Sequence, residues 1–335
     1  MNMNRRMLMA VLALLPAALL ADVLVSDWQP VFRGVDHATG TNLPSAARPW
    51  LQVAHALRVD LTDPGVHLFT SPRTAPYESE ASETGGNTTS GFLRAYGLQA
   101  AINANFFSLD GAREIGAPRE IYGLAMCTGQ VVSALEPFLP SYFMAPCAFL
   151  FTPENRPTVV MDNLASWTNL EGFATAVTGS YPLLAQGVNV ASDYLNIWWE
   201  RIHSLNPRTA LGVSQDRRFL ILLTIDGRQY GYSEGALDWE TGEWLRQFGA
   251  WDGINLDGGG STEMVVADSQ GAPVILNRPS DGQERVVGDC FGLSAQPLPS
   301  LLGSIETRSA GASVRLRQSM SERNDTDGIS ERICL

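Results

Sequence analysis

The sequence "INLDGGGSTEMVV", Ile254–Val266, places two short apolar runs on either side of an aspartate and three consecutive glycines. The runs predict two strands, and the glycines predict a tight loop between them, because glycine adopts backbone conformations that other residues avoid. Asp257 stands where the first strand ends, a position at which folds of strands and helices tend to place their sites. The alternative is a tight hairpin in which Asp257 caps its own turn.

The glycine loop does not match a nucleotide-binding loop. It lacks the Gly-Lys-Ser/Thr of a P-loop, and a strand rather than a helix is predicted after it. Successive glycines nevertheless let backbone N–H groups turn toward one anion. We therefore expect the loop to bind substrate through Gly258, Gly259, Gly260 and Ser261.

Strand and helix patterns are intermixed along the chain. Ala100–Asn103 and the apolar run Phe219–Ile225 predict buried strands, and apolar positions between Leu237 and Phe248 predict an amphipathic helix. A short helix capped by Ser90 is predicted before the first of these strands. The pattern indicates an α/β or α+β fold, a single domain over residues 26–297 with a mixed β-sheet and flanking helices. Residues 298–335 are rich in Ser, Arg and Asp and predict a mobile tail.

Composition limits the partners of the 335-residue chain. A formal net charge of -12 and a sequence pI of about 4.8 argue against nucleic acid or an anionic membrane surface as the main partner. The chain has no Cys-x-x-Cys motif, which disfavours a zinc or redox site. Four cysteines allow three complete disulfide pairings, among which the sequence does not choose: Cys127, Cys147, Cys290 and Cys334.

The N-terminus has the pattern of an export signal. Arg5 and Arg6 precede an apolar run from Met7 to Ala21 that ends in small residues. Residues 1–21 therefore predict export to the periplasm or the extracellular space. The alternative is an uncleaved anchor, and we expect contact with a membrane only through this segment if it is retained.

Charged side chains follow several of the predicted strands. Asp226 comes directly after Phe219–Ile225, and Arg208 lies in a polar turn before an apolar run. Arg278 and Arg285 flank a Pro-Ser-Asp-Gly turn. Arginine is well suited to bidentate recognition of phosphate. For any single arginine, however, the alternative is a surface ion pair.

These motifs, taken in order, resemble the phosphodiester glycosidase family. The matching elements are "NANFF" at 103–107, "RTALG" at 208–212, "DGR" at 226–228, "NLDGGGS" at 255–261 and "NRP" at 277–279. The resemblance spans about Leu51 to Leu293. The chain departs from the family pattern at Ala104-Asn105, where the family has two glycines, and this change could alter access or substrate choice.

The resemblance implies hydrolysis of a glycosyl phosphodiester at the anomeric carbon, on a glycan or a sugar-phosphate diester. We expect no cofactor, with a divalent cation left open as the alternative. Asp257 would face the anomeric carbon as nucleophile, base or charge stabiliser, and Asp226 or Glu263 would supply a second carboxylate. A phosphomonoester has a second pKa near 6, so it leaves without strong help from a general acid. Besides the glycine loop, the expected substrate-binding residues are Asn103, Asn105, Arg208, Arg278 and Arg285. We expect Asn105, Arg208, Asp226 and Asp257 to converge on one cleft.

Two other classes of function stay open at this level. A non-catalytic carbohydrate-binding protein could stack sugars on Trp198, Trp199, Trp239 or Trp244. A phosphodiesterase dependent on a divalent cation could use Asp226, Asp257 and Asp289, although no recognisable metal-ligand motif is present. The products distinguish these classes. A glycosidase releases reducing sugar, a phosphodiesterase can leave a sugar phosphate, and a binding protein releases nothing.

Overall fold

The computed structural model describes residues 23–299 apart from 47, 75–81, 109–113, 136–138, 141–142, 144, 162–163, 165–168 and 194–203. Its strands are β1 (Val23–Val25), β2 (Gln29–Phe32), β3 (Val35–Asn42), β4 (Val53–Asp60), β5 (His67–Thr70), β6 (Thr84–Gly85), β7 (Ala100–Asn103), β8 (Pro118–Arg119), β9 (Ala125–Cys127), β10 (Gln130–Ser133), β11 (Cys147–Phe151), β12 (Pro157–Val160), β13 (Thr175–Gly179), β14 (Pro182–Ala185), β15 (Val188–Asn189), β16 (Arg208–Val213), β17 (Phe219–Ile225), β18 (Asp252–Asn255), β19 (Met264–Ala267), β20 (Pro273–Ile275) and β21 (Cys290–Ser294). The helices within these residues are α1 (Thr89–Tyr96) and α2 (Asp238–Gln247).

Most strands belong to three sheets in which neighbouring strands run antiparallel. The first, nine-stranded sheet has the order β1-β3-β4-β17-β16-β18-β14-β15, with β2 also paired to β3. The second sheet has the order β20-β19-β7-β21-β5, and the third β10-β9-β13-β11-β12. Strands β6 and β8 form a separate pair. The predicted α/β or α+β fold with a mixed sheet and flanking helices is therefore wrong, because the described residues are mostly antiparallel β-structure and contain two α-helices.

The hydrophobic core lies between the three sheets. One face of the nine-stranded sheet contributes Leu57, Leu211 and Ile254, which share a buried cluster with Phe149 of the third sheet and Phe291 of the second. All five side chains are fully buried. The alternation of side chains along a strand leaves the opposite face of each sheet to be covered by other groups.

Each helix covers one of these opposite faces. Helix α2 buries Trp244 and Leu245 against the nine-stranded sheet, which is the amphipathic packing that the sequence predicts. Helix α1 buries Phe92 and Leu93 against the second sheet. Its N-cap is Thr88, whose hydroxyl accepts from Gly91 N, rather than the predicted Ser90. The short helix therefore begins earlier in the chain than its sequence suggests.

The glycine loop connects the nine-stranded sheet to the second sheet. Strand β18 ends beside β16, where Leu256 N donates to Thr209 O at 3.0 Å. The chain then crosses to the end of β7, where Asp257 N donates to Ala104 O at 3.1 Å, and it enters the second sheet as β19. Asp257 therefore lies where two sheets meet.

Several predictions concern residues outside those described. The predicted export signal at 1–21 and residues 300–335 of the predicted tail are among them. Cys127, Cys147 and Cys290 are buried free thiols, so no disulfide joins them, while Cys334 is not among the described residues. Within the described ranges, no helix has both the length and the apolar character to span a bilayer.

Candidate active site

Asp257 carries a half-buried carboxylate at the start of the glycine loop. Burial raises its pKa to about 6, and three favourable contacts oppose the rise: the Ser261 hydroxyl, the positive charge of Arg285 and the Gly258 N–H. The bond to Gly258 matches the turn-capping interpretation of this aspartate. Asp257 can cap this turn and also act on a substrate, because the hydrogen bonds that hold its carboxylate fix the position of that carboxylate in advance. Asp257 is thus a fixed carboxylate that is mainly ionised at neutral pH.

All three glycines of the loop leave little room for a side chain, and a Cβ on Gly258 would lie 2.8 Å from the Pro207 carbonyl oxygen. Gly259 has a φ of 65°, in the left-handed region that side chains disfavour. A Cβ built on Gly260 would lie 1.9 Å from Arg285 Nη2 and 2.3 Å from Asp281 Oδ2. The bare backbone therefore allows charged side chains to lie directly on the loop.

Arg285 and Arg228 place cationic side chains on the loop. Arg285 Nη1 is 3.4 Å from the Ser261 hydroxyl, and Arg228 Nη2 lies 3.0 Å from the position of a Cβ on Gly259. Arg228 is exposed and donates to Asn206 Oδ1 at 2.9 Å, a neutral acceptor. No carboxylate of the described residues forms an ion pair with Arg228. Arg228 is not among the site residues predicted from the sequence, although it is the third residue of the Asp-Gly-Arg motif.

Asn103 holds the elements of the site together. Its Nδ2 donates to Asp257 O at 2.5 Å, and its Oδ1 accepts from the Thr209 hydroxyl at 2.7 Å and from Glu263 N at 3.1 Å. It is 1% exposed. These bonds join β7, β16 and both ends of the glycine loop. The Asn103 amide, predicted to bind substrate, is therefore occupied by protein groups.

Asn105 is also occupied by the protein. Its Nδ2 donates to the carbonyl oxygens of Tyr122 and Leu124, and its Oδ1 accepts from Thr178 N at 2.9 Å. The backbone N–H of Asn105 is 3.4 Å from Asp289 Oδ2. Burial raises the pKa of Asp289 to about 7. The amide that departs from the family pattern thus fixes neighbouring backbone.

Arg208 points away from the glycine loop. Its Nη1 pairs with Asp238 at 2.5 Å, and its Nε donates to Ala236 O at 2.9 Å. Asp238 also accepts a hydrogen bond from the Tyr181 hydroxyl. Because Thr209, the next residue, reaches Asn103, the alternation of the strand sends Arg208 to the opposite, α2-covered face. The predicted strand ends do meet, but their side chains do not all enter one cleft.

Asp226 and Arg278 form part of a turn beside the loop. Asp226 is fully buried, and its carboxylate accepts from Asn277 Nδ2, Arg278 N and the Tyr232 hydroxyl at 2.8 to 3.1 Å. The guanidinium of Arg278 lies 5.3 Å from the centre of the Tyr232 ring. Asp226 therefore positions the Asn-Arg-Pro turn, and Arg278 stays exposed beside it.

Glu263 is paired with another carboxyl group. It is 2% exposed and shares a hydrogen bond with Glu284, which accepts from Ser90 N of helix α1 at 2.8 Å. Burial, followed by the charge and the hydrogen bond of Glu284, raises the pKa of Glu263 to about 9, against the opposing effect of the bond from Thr89. Ionising both of two adjacent carboxyl groups is unfavourable, because their negative charges repel each other. Glu263 is accordingly protonated at neutral pH.

We expect Glu263→Gln to flatten the pH dependence of stability. The folded pKa of about 9 lies above the ordinary value of 4.5, so this group's contribution is full below about pH 4.5 and is lost as pH rises toward 9. The free energy of unfolding then falls by up to about 1.4 kcal/mol per pH unit in that window. Glutamine stays neutral and removes this fall. Urea unfolding between about pH 5 and pH 9 measures the difference.

Glu284→Gln is the matched comparison. It removes the negative neighbour of Glu263 but leaves Glu263 able to ionise, so we expect a smaller fall in stability with pH than in the natural protein. Parallel pH curves for the natural protein and Glu263→Gln would mean that Glu263 is not held protonated.

The metal-dependent alternative has no gathered ligand set in the described ranges. Within them, no three His, Cys, Asp or Glu side chains are close enough together to hold a metal ion. Asp226 and Asp289 bind different parts of the protein, as described above, and neither is bonded to Asp257. Use of a divalent cation by these three aspartates stays a hypothesis.

The carbohydrate-binding alternative has one structural feature to consider. Trp239 and Trp244 line a cavity of about 230 Å³ together with Arg48 and Glu243. Trp244 belongs to the cluster between helix α2 and the nine-stranded sheet, so its main role is in packing. Trp198 and Trp199 lie outside the described residues.

A comparison with protein families gives the class of the chain. A profile of the phosphodiester glycosidase family matches residues 96–294. The chain belongs to the phosphodiester glycosidase family, as its motifs predicted. Family membership supports a hydrolase that acts on glycosyl phosphodiesters. A search of curated proteins finds no match.

Solved structures share the fold at low sequence identity. The catalytic domain of zebrafish N-acetylglucosamine-1-phosphodiester α-N-acetylglucosaminidase, auto-inhibited by its pro-peptide, is similar with a TM-score of 0.58 and 16% identity over 82% of this chain and 89% of that one. A Burkholderia pseudomallei protein described as exported has a TM-score of 0.58 and 15% identity. The match covers 81% of this chain and 96% of that one. A hypothetical protein from Synechocystis has a TM-score of 0.52 and 14% identity, and the match covers 80% of this chain and 64% of that one.

Proposed function

We propose that this protein is an exported hydrolase that cleaves a glycosyl phosphodiester at the anomeric carbon, releasing sugar and a phosphomonoester. The observation that carries the proposal is the glycine loop, which begins with a half-buried carboxylate, Asp257, and against which two arginines, Arg228 and Arg285, lie. The Asp257 carboxylate can stabilise a positive charge that develops on the sugar, and the two arginines can bind the phosphate that departs.

The reaction needs few further groups. Water adds to the anomeric carbon, the bond from that carbon to the phosphate oxygen breaks, and its electron pair leaves with the phosphate. The proton that the water loses passes to the departing phosphomonoester or to solvent. Asp257 stabilises the oxocarbenium-like carbon, and Arg228, Arg285 and the loop N–H groups hold the leaving group. Because a phosphomonoester leaves readily, the protonated Glu263 and the hydrogen-bonded Asp226 are better assigned to positioning than to proton transfer. No metal or cofactor takes part in this scheme.

The substrate and location are extensions of the family assignment. The zebrafish relative is named for action on an N-acetylglucosamine phosphodiester, and we place the substrate of this protein among surface or extracellular glycans with a similar linkage. Export is supported by the pattern of residues 1–21 and by the described export of a structural relative. Incubating the mature protein with a panel of sugar-1-phosphodiesters and identifying products by mass spectrometry tests the proposal. Reducing sugar supports it, and the absence of any product with every diester would refute it.

We expect Arg228→Ala to weaken binding of the diester about tenfold to a hundredfold. Loss of a charge-assisted hydrogen bond costs about 1.5–3 kcal/mol, and Arg228 has an exposed guanidinium that lies on the loop. Its stability should change little. The rise in KM, measured with one diester, reports the effect.

Arg208→Ala is the contrasting variant. Removal of Arg208 leaves Asp238 buried and unpaired, so we expect a loss of about 3–5 kcal/mol in the free energy of unfolding. If Arg208→Ala instead raised KM with full stability, while Arg228→Ala bound normally, the phosphate contact would belong to Arg208.

A further inference from the structure

A second carboxylate, that of Asp281, lies on the glycine loop beside the proposed phosphate site. Asp281 Oδ2 accepts from Arg285 Nε at 3.1 Å and from Nη2 at 2.8 Å. Both partners lie against Gly260, where an added Cβ would contact them. The Asp281 side chain is 38% exposed and that of Arg285 29%, so solvent and ligands reach the pair.

The contacts divide the guanidinium of Arg285 into two edges. Its Nε and Nη2 edge is occupied by Asp281, whereas Nη1 faces the Ser261 hydroxyl at 3.4 Å. The charge of Arg285 also favours the ionised form of Asp257, which lowers the pKa of that aspartate against the effect of burial. Arg285 therefore has one edge directed toward the reacting groups, and its charge is already shared by two carboxylates.

We propose that Asp281 is a specificity residue that makes this site prefer singly charged phosphodiesters over doubly charged phosphomonoesters. The inference rests on the proposed function, because it takes the phosphate to bind at Arg285 and the loop. Asp281 offsets part of the positive charge there, and Asp257 adds a second negative charge.

Ligand charge decides the outcome. A phosphodiester carries one negative charge at all relevant pH values, whereas a monoester has a second pKa near 6 and carries almost two above neutral pH. The repulsion from Asp281 acts on each ligand charge, so it penalises a dianion about twice as much as a monoanion. Asp281 thus weakens binding of the diester less than that of the monoester, and it promotes release of the monoester product.

The test uses Asp281→Asn and two probes, methyl phosphate and dimethyl phosphate. Titration calorimetry at about pH 8 measures their binding to the mature protein. We expect the variant to bind methyl phosphate about tenfold more tightly than the natural protein and dimethyl phosphate about threefold more tightly. Equal changes for the two probes, no change, or weaker binding of methyl phosphate would overturn the proposal; the last would mean that Asp281 serves to hold Arg285 in place.

A matched control exists in the same chain. Arg218 donates to Asp60 Oδ2 through Nε at 3.2 Å and Nη2 at 2.7 Å, at the opposite end of β17 from Asp226. Asp60→Asn removes a carboxylate of similar geometry and the same amount of charge, and it should leave binding of both probes unchanged. Because the measurement is binding, it gives a result even if no diester is hydrolysed, so failure of this inference and failure of the proposed function are separate outcomes.

Discussion

Asp257→Asn is expected to lower kcat by about a hundredfold to a thousandfold, the range found when one preorganised electrostatic group is removed from an active site. The amide keeps the size of the side chain and can still accept from the Ser261 hydroxyl and the Gly258 N–H. It lacks the charge that stabilises the oxocarbenium-like centre. Because this loss falls on the transition state, KM should change much less than kcat.

The pH profile of the natural protein provides an independent measure of the same group. With the pKa of Asp257 near 6 in the free protein, the ionised form is lost as pH falls through about 6, and kcat/KM should fall with it. Folded Asp257→Asn protein with near-normal turnover would exclude Asp257 from the chemistry. The glycine loop would then be only a tight turn.

Asn103→Ala is expected to cost about 3–9 kcal/mol of the free energy of unfolding. It leaves the Asp257 carbonyl, the Thr209 hydroxyl and the Glu263 N–H without their partner, and each unsatisfied buried group costs about 1–3 kcal/mol. Activity should fall as well, because Asp257 loses one of its two hydrogen bonds to the end of β7 and keeps only the bond from its N–H to Ala104 O. Urea unfolding and turnover of the same preparation measure both effects.

Thr209→Val is the graded control for Asn103. It removes only one of these bonds while keeping the shape of the side chain, so its cost should be about 1–2 kcal/mol. If Asn103→Ala proved no more costly than Thr209→Val, Asn103 would not be the residue that joins β7, β16 and the loop. A loss of substrate binding without loss of stability would instead restore Asn103 as a ligand contact.

The local elements were predictable from the sequence, whereas the fold class was not. Strands Ala100–Asn103 and Phe219–Ile225 follow from short apolar runs, and helix α2 follows from its apolar spacing. A strand pattern does not specify which distant strand becomes its neighbour. In this protein β17 pairs with β4, more than a hundred residues earlier in the chain, and the alternation of strands with two helices was mistaken for a mixed sheet.

The site was predictable in its motifs but less so in the direction of its side chains. The sequence identified the glycine loop and Arg285, which lie together. It named Arg208, whose side chain pairs with Asp238, and did not name Arg228, which lies against Gly259. The difference follows from strand alternation and from Asp238, a partner that the sequence does not bring near Arg208. Asn103 was expected to bind substrate because a polar side chain after a strand does not reveal which protein groups it satisfies.

The most direct test of the proposed reaction is hydrolysis of a sugar-1-phosphodiester in oxygen-18-labelled water. Cleavage at the anomeric carbon places the label in the sugar and leaves the phosphomonoester unlabelled. The phosphate is the decisive product, because its oxygens do not exchange with water as the anomeric oxygen does. We predict an unlabelled phosphomonoester by mass spectrometry. A labelled phosphate would show attack at phosphorus and would contradict the assignment of Asp257 and the two loop arginines to glycosidic cleavage.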